Sequence, residues 1–339
     1  MDNYLVDVPV KINVWIRPEC QRKQFEVIRK VKPSILFIVS DGGRNEEEKN
    51  IIRNNRKIVE NIDWNCKIYK LYEDKNQGMY AMAKKAHELV WSHVDRCIFL
   101  EDDILPSESY FKFCEELLER FKDDKRINVI CGMNHLGIYQ DVNTDYFFSR
   151  QGSIWGYATW RRTYEQYMDF AYAQDSYILK LLKQRTRHNH KFWKRIKGYT
   201  QDKYFEGHLA WSEFFLEFAM YGHNQLQIIP KKNMICNIGC NINAAHSDDL
   251  NKLPRGIRQV FNMKTYQLEF PMKHAKYVIP DIYYEKERNK IMAYNCPFRT
   301  YFRRIETIFL KIKYRDYQGI KKMICRVLKK IRGRRNVEK

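Results

Sequence analysis

Apolar residues along this chain change period several times, and the changes mark elements. Val8–Ile16 (V-P-V-K-I-N-V-W-I) alternates and is rich in β-branched residues, which predicts a strand ending at Arg17-Pro18. Gln21–Lys30 then follows a helical period on Phe25, Val27 and Ile28. Ser34–Ser40 is almost wholly apolar, the pattern of a strand buried on both faces, and it ends in Asp41-Gly42-Gly43-Arg44. A charged helix over Glu46–Asn61, a strand over Lys67–Leu71, a turn at Asn76-Gln77-Gly78 and a helix over Met79–Trp91 lead to the apolar strand Cys97–Leu100. Strands alternating with helices in this way predict an α/β fold, a mostly parallel sheet flanked by helices on both faces.

The pattern continues less regularly. Ser107 or Ser109 suits the N-cap of a helix over Tyr110–Phe121, and Asn128–Cys131 and Tyr146–Ser149 are further short strands. Ile154–Trp160 (I-W-G-Y-A-T-W) is an aromatic run followed by Arg161-Arg162. Such a run suits sugar or phosphate recognition, and it equally suits a strand-to-helix corner in the core. Residues 179–203 are basic and helical in pattern, with no role readable from the sequence. Ala210–Tyr221 predicts a largely apolar helix with Glu213 and Glu217 one turn apart, and Gln227–Pro230 a last strand. We divide the chain into a main α/β domain over 1–260, an irregular extension over 261–296 and a basic tail over 297–339.

Composition narrows the class. With 339 residues, 44% of them hydrophobic, the chain can bury a substantial core. No apolar run is long enough to span a bilayer, and the N-terminal stretch lacks the pattern of a signal peptide. Nine cysteines without paired CxxC spacing fit free thiols in a reducing compartment. Cys236 and Cys240 lack the companion ligands a zinc site needs. The expected location is the cytoplasm.

The net charge of +20 is unevenly placed. From Pro297 to Lys339 there are 15 Lys or Arg and 3 acids, so 15 − 3 = +12 lies in the tail. Within it, Ile320, Met323, Ile324, Val327, Leu328 and Ile331 recur at helical spacing among Lys and Arg, a basic amphipathic helix. Such a helix suits an anionic membrane surface.

The chemistry concentrates at Glu101-Asp102-Asp103, directly after the Cys97–Leu100 strand. Carboxylates at the end of a buried strand repel one another unless a cation compensates them, and oxygen-only ligands suit Mn²⁺ or Mg²⁺. Ligands of open α/β sheets bind beyond the carboxyl ends of the strands, where Arg17, Asp41, Asn76 and this cluster all fall. Neither a GxGxxG fingerprint nor a GxxxxGK[ST] loop is present, which argues against dinucleotide dehydrogenases and P-loop NTPases.

In chain order, the strand ending Arg17-Pro18, S-D-G-G-R at Ser40–Arg44, N-Q-G at Asn76–Gly78, L-E-D-D-I-L-P-S at Leu100–Ser107, W-G-Y-A-T-W-R-R at Trp155–Arg162 and N-I-G…H from Asn237 to His246 resemble the nucleotide-sugar-dependent glycosyltransferases of the GT-A fold. The nearer likeness is to bacterial family-2-type sugar transferases, the more distant one to N-acetylglucosaminyltransferase I. The resemblance implies that Asp41 contacts the nucleotide base, with Arg17 and Asn76 lining the same donor pocket. It places Asp102 at the ribose or donor sugar, Asp103 on Mn²⁺ or Mg²⁺ and His246 at the metal or diphosphate. Trp155 and Gly156 would meet substrate. In relatives an Asp at the start of an apolar helix is the base, and Glu213 stands at that place here, one methylene longer. The implied activity is transfer of a hexosyl or N-acetylhexosaminyl group from a nucleoside-diphosphate donor, UDP-linked by expectation, to a hydroxyl of a surface glycan such as capsule, O-antigen or lipopolysaccharide, with inversion. The implied setting is peripheral, at the inner face of the plasma membrane. Two alternatives remain open: a sugar-phosphate nucleotidyltransferase, and a non-catalytic nucleic-acid-binding protein acting through the tail.

Overall fold

A computed structural model describes residues 3–168, 175–186, 219–240, 250–294, 296–321 and 323–325. The first half is a regular alternation of strands and helices. β1 (Val6–Val14), α1 (Pro18–Val31), β2 (Pro33–Ser40), α2 (Glu46–Glu60), β3 (Lys67–Tyr72), α3 (Met79–Trp91) and β4 (Arg96–Leu100) follow the expected order within a few residues at each end. β5 (Ile104–Pro106), α4 (Glu108–Arg120), β6 (Ile127–Cys131), β7 (Tyr146–Ser149), β8 (Tyr157–Trp160), α5 (Arg161–Met168), α6 (Ser176–Arg185), β9 (Leu226–Pro230) and β10 (Ile235–Asn237) complete the sheets.

Eight strands form one sheet in the order β3-β2-β1-β4-β8-β6-β9-β7. The pairs β1–β2, β1–β4, β2–β3 and β6–β9 are parallel, while β8 runs antiparallel to both its neighbours and β7 antiparallel to β9. The sheet is therefore parallel in its first half and mixed in its second. Helices cover the sheet on both sides of central β1, whose own residues are apolar on one face, with Lys11 and Asn13 on the other. Val8, Val10, Ile12 and Val14 pack with Phe25, Ile28, Phe111 and Leu117 from α1 and α4. On the other face Phe37, Cys97 and Phe99 from the neighbouring strands meet Val90 and Trp91 of α3.

The aromatic run resolves as strand β8 passing directly into α5. Arg162 is spent on structure: its guanidinium lies 4.3 Å from the Trp160 ring centroid and donates to the carbonyls of Phe121, Asp124 and Ile127. Arg161 donates to the Val94 carbonyl and pairs with Asp95. These two cations serve the corner rather than a phosphate.

Beyond the sheet, α7 (Arg255–Arg258) ends the first region, and the stretch expected to be irregular, 261–296, contains α8 (Ile282–Met292). Asp281 caps α8 by accepting from the Tyr284 amide at 2.9 Å, and the helix buries Tyr284, Glu285 and Arg288. Its weak apolar periodicity hides it from sequence, because polar side chains make its inward contacts. Glu285 accepts from the Arg150 amide at 2.7 Å, and Arg288 donates to the Gly152 carbonyl. α9 (Pro297–Lys313) follows, and residues 317–321 and 323–325 are helical. The rest of the predicted amphipathic segment to Ile331 lies outside the described residues, as does most of 179–203 beyond α6. No helix among the described residues is long and apolar enough to cross a membrane.

Candidate functional site

The carboxyl ends of β1, β2 and β4 are aligned by register, with Val14 beside Ser40 and Ile12 beside Leu100. That edge carries the acidic cluster. After β4 the chain turns sharply, Ile104 N donating to the Glu101 carbonyl at 3.2 Å, and β5 then pairs antiparallel with β10. The turn swings Glu101 outward and carries Asp102 and Asp103 inward, where they are 8% and 9% exposed.

Arg17, at the end of β1, reaches both acids. Its Nη1 donates to Asp102 Oδ1 at 2.9 Å and to Asp103 Oδ2 at 3.3 Å. One guanidinium does not satisfy two carboxylates: Asp102 Oδ2 and Asp103 Oδ1 are buried without a hydrogen-bond partner. Burial pushes Asp102 up to about 6 and raises Asp103 as well, in spite of Arg17. Buried, unsatisfied charge of this kind is costly, and such sites commonly bind an ion or ligand that supplies the missing partner.

A residue the sequence reading missed holds the turn. Gln24 of α1 is 1% exposed, and its Nε2 donates to the carbonyls of Glu101 at 2.6 Å and Ile104 at 2.7 Å. The available signal was a polar side chain on the stripe of α1 that also holds Phe25 and Ile28. From the far side the N-I-G stretch closes in. Ile238 N donates to the Asp103 carbonyl at 2.9 Å, and Gly239 N to Asn237 Oδ1 at 3.0 Å. Cys20 adds a 3.7 Å contact from its Sγ to the Ile238 carbonyl.

Asp41 and Asn76 are brought together, but they are occupied with each other. Asp41 Oδ1 accepts from the amides of Gly42 and Gln77, both at 2.8 Å. Its Oδ2 accepts from Gly78 N at 3.0 Å and Asn76 Nδ2 at 3.1 Å. A carboxylate offers about four acceptor positions, and all are taken here. Asp41 therefore fixes the N-Q-G turn beside the strand ends, and any part in recognising a base passes through that turn.

Trp155 and Gly156 stand next to the β5–β10 pair. Gly156 has φ +60, its carbonyl accepts from Gly132 N at 2.8 Å, and a Cβ there would stand 3.0 Å from Ile235 and 3.1 Å from Ile104. The Trp155 ring lies 5.0 Å from Phe261 and is half-buried in that contact. Glu213 and His246, the expected base and metal ligand, lie outside the described residues. Among the described residues no group of three or more His, Cys, Asp or Glu is clustered as a metal site. What fits a hard cation is the pair of orphaned, acceptor-only oxygens on Asp102 and Asp103. Burial lifts the Cys236 thiol to about 11.

Under the cluster, on the α3 face, Lys11 is 7% exposed, with Nζ donating to Asn13 Oδ1 at 2.5 Å and lying 5.9 Å from the Phe99 ring. Burial lowers it to about 8, against the attraction of Glu101. A pocket lined by Arg126, Arg150, Arg185 and Tyr221 opens elsewhere, where β6 and β9 begin. β6 runs parallel to β4 through β8, so that pocket lies at the opposite edge from the carboxylates.

No protein-family model matches this sequence, and no curated protein matches it. Solved structures do align. A mannosyltransferase from Pyrobaculum calidifontis, in complex with GDP-Man and Mn²⁺, aligns at 12% identity and TM-score 0.35 over 65% of this chain and 72% of that one. Mouse xyloside xylosyltransferase 1 aligns at 13% identity and TM-score 0.33, over 65% and 82%. The 4-diphosphocytidyl-2C-methyl-D-erythritol synthase from Anaerococcus prevotii aligns at 12% identity and TM-score 0.32, over 52% and 83%. At these scores the likenesses carry no conclusion about the activity of this chain.

Proposed function

We propose that this protein is a metal-dependent glycosyltransferase of the GT-A type. It moves a hexosyl or N-acetylhexosaminyl group from a nucleoside diphosphate, UDP by preference, to a hydroxyl of a surface-glycan acceptor, with inversion. One observation carries the reading: Asp102 Oδ2 and Asp103 Oδ1 are buried and unpartnered at the carboxyl end of β4, beside Arg17. Two acids so placed are costly in an empty site and are compensated when a divalent cation and a diphosphate are present.

Asp103 would hold Mn²⁺ or Mg²⁺, with His246 as the second protein ligand. The cation would neutralise charge on the departing nucleoside diphosphate. Asp102 would face the ribose or donor sugar, with Arg17 fixing both acids. The turn clamped by Asp41 and Asn76 would border the base, and Trp155 and Gly156 would border the sugar. Glu213 would take the proton from the acceptor hydroxyl. The Arg17–Lys23 stretch after β1 has no glycine, which disfavours the glycine-rich loop of a nucleotidyltransferase. The setting we propose is the cytoplasm, at the inner face of the plasma membrane, where glycan or lipid-linked glycan acceptors would be met.

Purified protein incubated with a panel of sugar nucleotides and Mn²⁺ should slowly hydrolyse the preferred donor. Asp103→Ala should lose Mn²⁺-dependent UDP binding by calorimetry while keeping its circular dichroism spectrum. Unchanged binding in that variant removes the metal assignment, and no hydrolysis of any donor by the native protein removes the activity.

A further inference from the structure

Helix α9 is built the wrong way round for a helix whose partner is its own protein. Its contacts with the body are made mainly by polar groups. Thr300 Oγ1 donates to the Ala293 carbonyl at 2.9 Å, Arg303 Nη1 donates to the Met292 carbonyl at 2.6 Å, and Glu306 accepts from Arg255 N at 2.7 Å. Leu310, 9% exposed, is the one apolar side chain of α9 that is buried.

The apolar residues face the other way. At 100° per residue, Phe298, Tyr301, Phe302, Ile305, Phe309 and Ile312 fall on one stripe, opposite Arg303 and Leu310. All six are exposed, Phe298 at 76% and Phe302 at 64%. Arg304 borders one side of the stripe, and Arg299 and Lys313 border the other, all three exposed, while Glu306, which projects between the last two, is engaged by Arg255 N. A continuous aromatic and aliphatic face with cations along both margins marks an interaction surface rather than a scatter of surface apolar residues.

We propose that α9 is a membrane-docking helix. Its outward face enters the interface of an anionic bilayer, and its flanking cations meet the lipid phosphates. The charge selects this occupant: the tail from Pro297 carries +12, which an anionic surface attracts and a second copy of the same tail repels. Aromatic rings at the headgroup boundary with long basic side chains reaching toward the phosphates make up an interfacial helix, and the helix lies in the surface without spanning it. The anchor is thereby placed on α9, ahead of the 320–331 segment that the sequence pattern favours. The proposal rests on the membrane-side setting given above and is independent of the transfer reaction.

The test uses the full chain with vesicles of phosphatidylcholine plus phosphatidylglycerol, and with phosphatidylcholine alone. The native protein should sediment with the anionic vesicles at low salt and much less with the neutral ones. F298S/F302S/F309S should weaken that binding by about tenfold or more, since each ring leaves water in the bound state. Arg304→Glu with Lys313→Glu should weaken it on anionic vesicles alone. Donor hydrolysis with Mn²⁺ and no vesicles should be unchanged in both variants, and it reads the enzyme assignment separately. Three results overturn the proposal: no sedimentation of the native protein, equal sedimentation of the triple variant, or a lipid-free dimer that the triple variant converts to monomer. The last result assigns the face to a second copy.

Discussion

Asp103 and Gly239 touch so closely that a Cβ on Gly239 would stand 2.4 Å from Asp103 Oδ2. The glycine is needed for space, since other Asp103 atoms are also within reach of that Cβ. Gly239→Ala should therefore push Asp103 away from Arg17 without touching any sheet. We expect Mn²⁺-dependent nucleotide binding to weaken by about tenfold or more, because misplacement by about 1 Å is enough to spoil a ligand geometry. Calorimetry on the variant checks this, and native affinity would show that the contact relaxes elsewhere.

Gln24 holds two carbonyls of the acidic turn at once. Gln24→Leu keeps the volume and leaves the Glu101 and Ile104 carbonyls without this donor, at a cost of about 1–3 kcal/mol for each buried group left unpaired. The thermal midpoint should fall by several degrees, and donor turnover should fall further than stability alone explains. A variant with lowered midpoint and native turnover would limit Gln24 to a structural part.

Buried His87 gives the protein an acid-sensitive core. Trp91 Nε1 donates to His87 Nδ1 at 3.1 Å, and the ring stacks 4.7 Å from Phe99 and 5.4 Å from Tyr164. Burial, with the nearby Lys11 charge, lowers His87 from 6.5 to about 3. Below pH 6.5 the unfolded chain takes up a proton that the folded chain refuses. Stability is thus lost as pH falls through 6.5 toward 3, by roughly 2 kcal/mol between pH 7 and pH 5. Urea unfolding at the two pH values should show His87→Leu losing less than the native protein by about that amount. His135, also held neutral by burial, adds loss of the same sign in both proteins.

Glu213→Gln should leave donor affinity unchanged and lower transfer by about 10²-fold or more, the scale of a lost general base. Comparing calorimetric affinity with turnover separates the two. Near-native transfer would move the role to another carboxylate, with Glu217, four residues further along the sequence, next in line.

The strand and helix order of the first half was legible because its signals are short-ranged. Period-two and fully apolar runs and the N-Q-G turn are all set within a few residues. The position of Glu101-Asp102-Asp103 at a strand end followed from the same patterns. α8 was not legible, since its buried positions are Tyr284, Glu285 and Arg288, whose fitness for the interior depends on partners far along the chain.

The sequence by itself determined which chemistry was on offer: acids at a strand end, a cation at Arg17, an aromatic run and a basic tail. Only the tertiary structure decided how each was used. It turned Asp41 inward on the 76–78 turn, gave Arg17 to Asp102 and Asp103, and left one oxygen of each acid unpartnered. It seated α9 by Thr300 and Arg303 and sent Phe298, Phe302 and Phe309 outward. Periodicity reveals that a helix has an apolar face, but which face meets the protein is set by the groups that the rest of the fold presents to it.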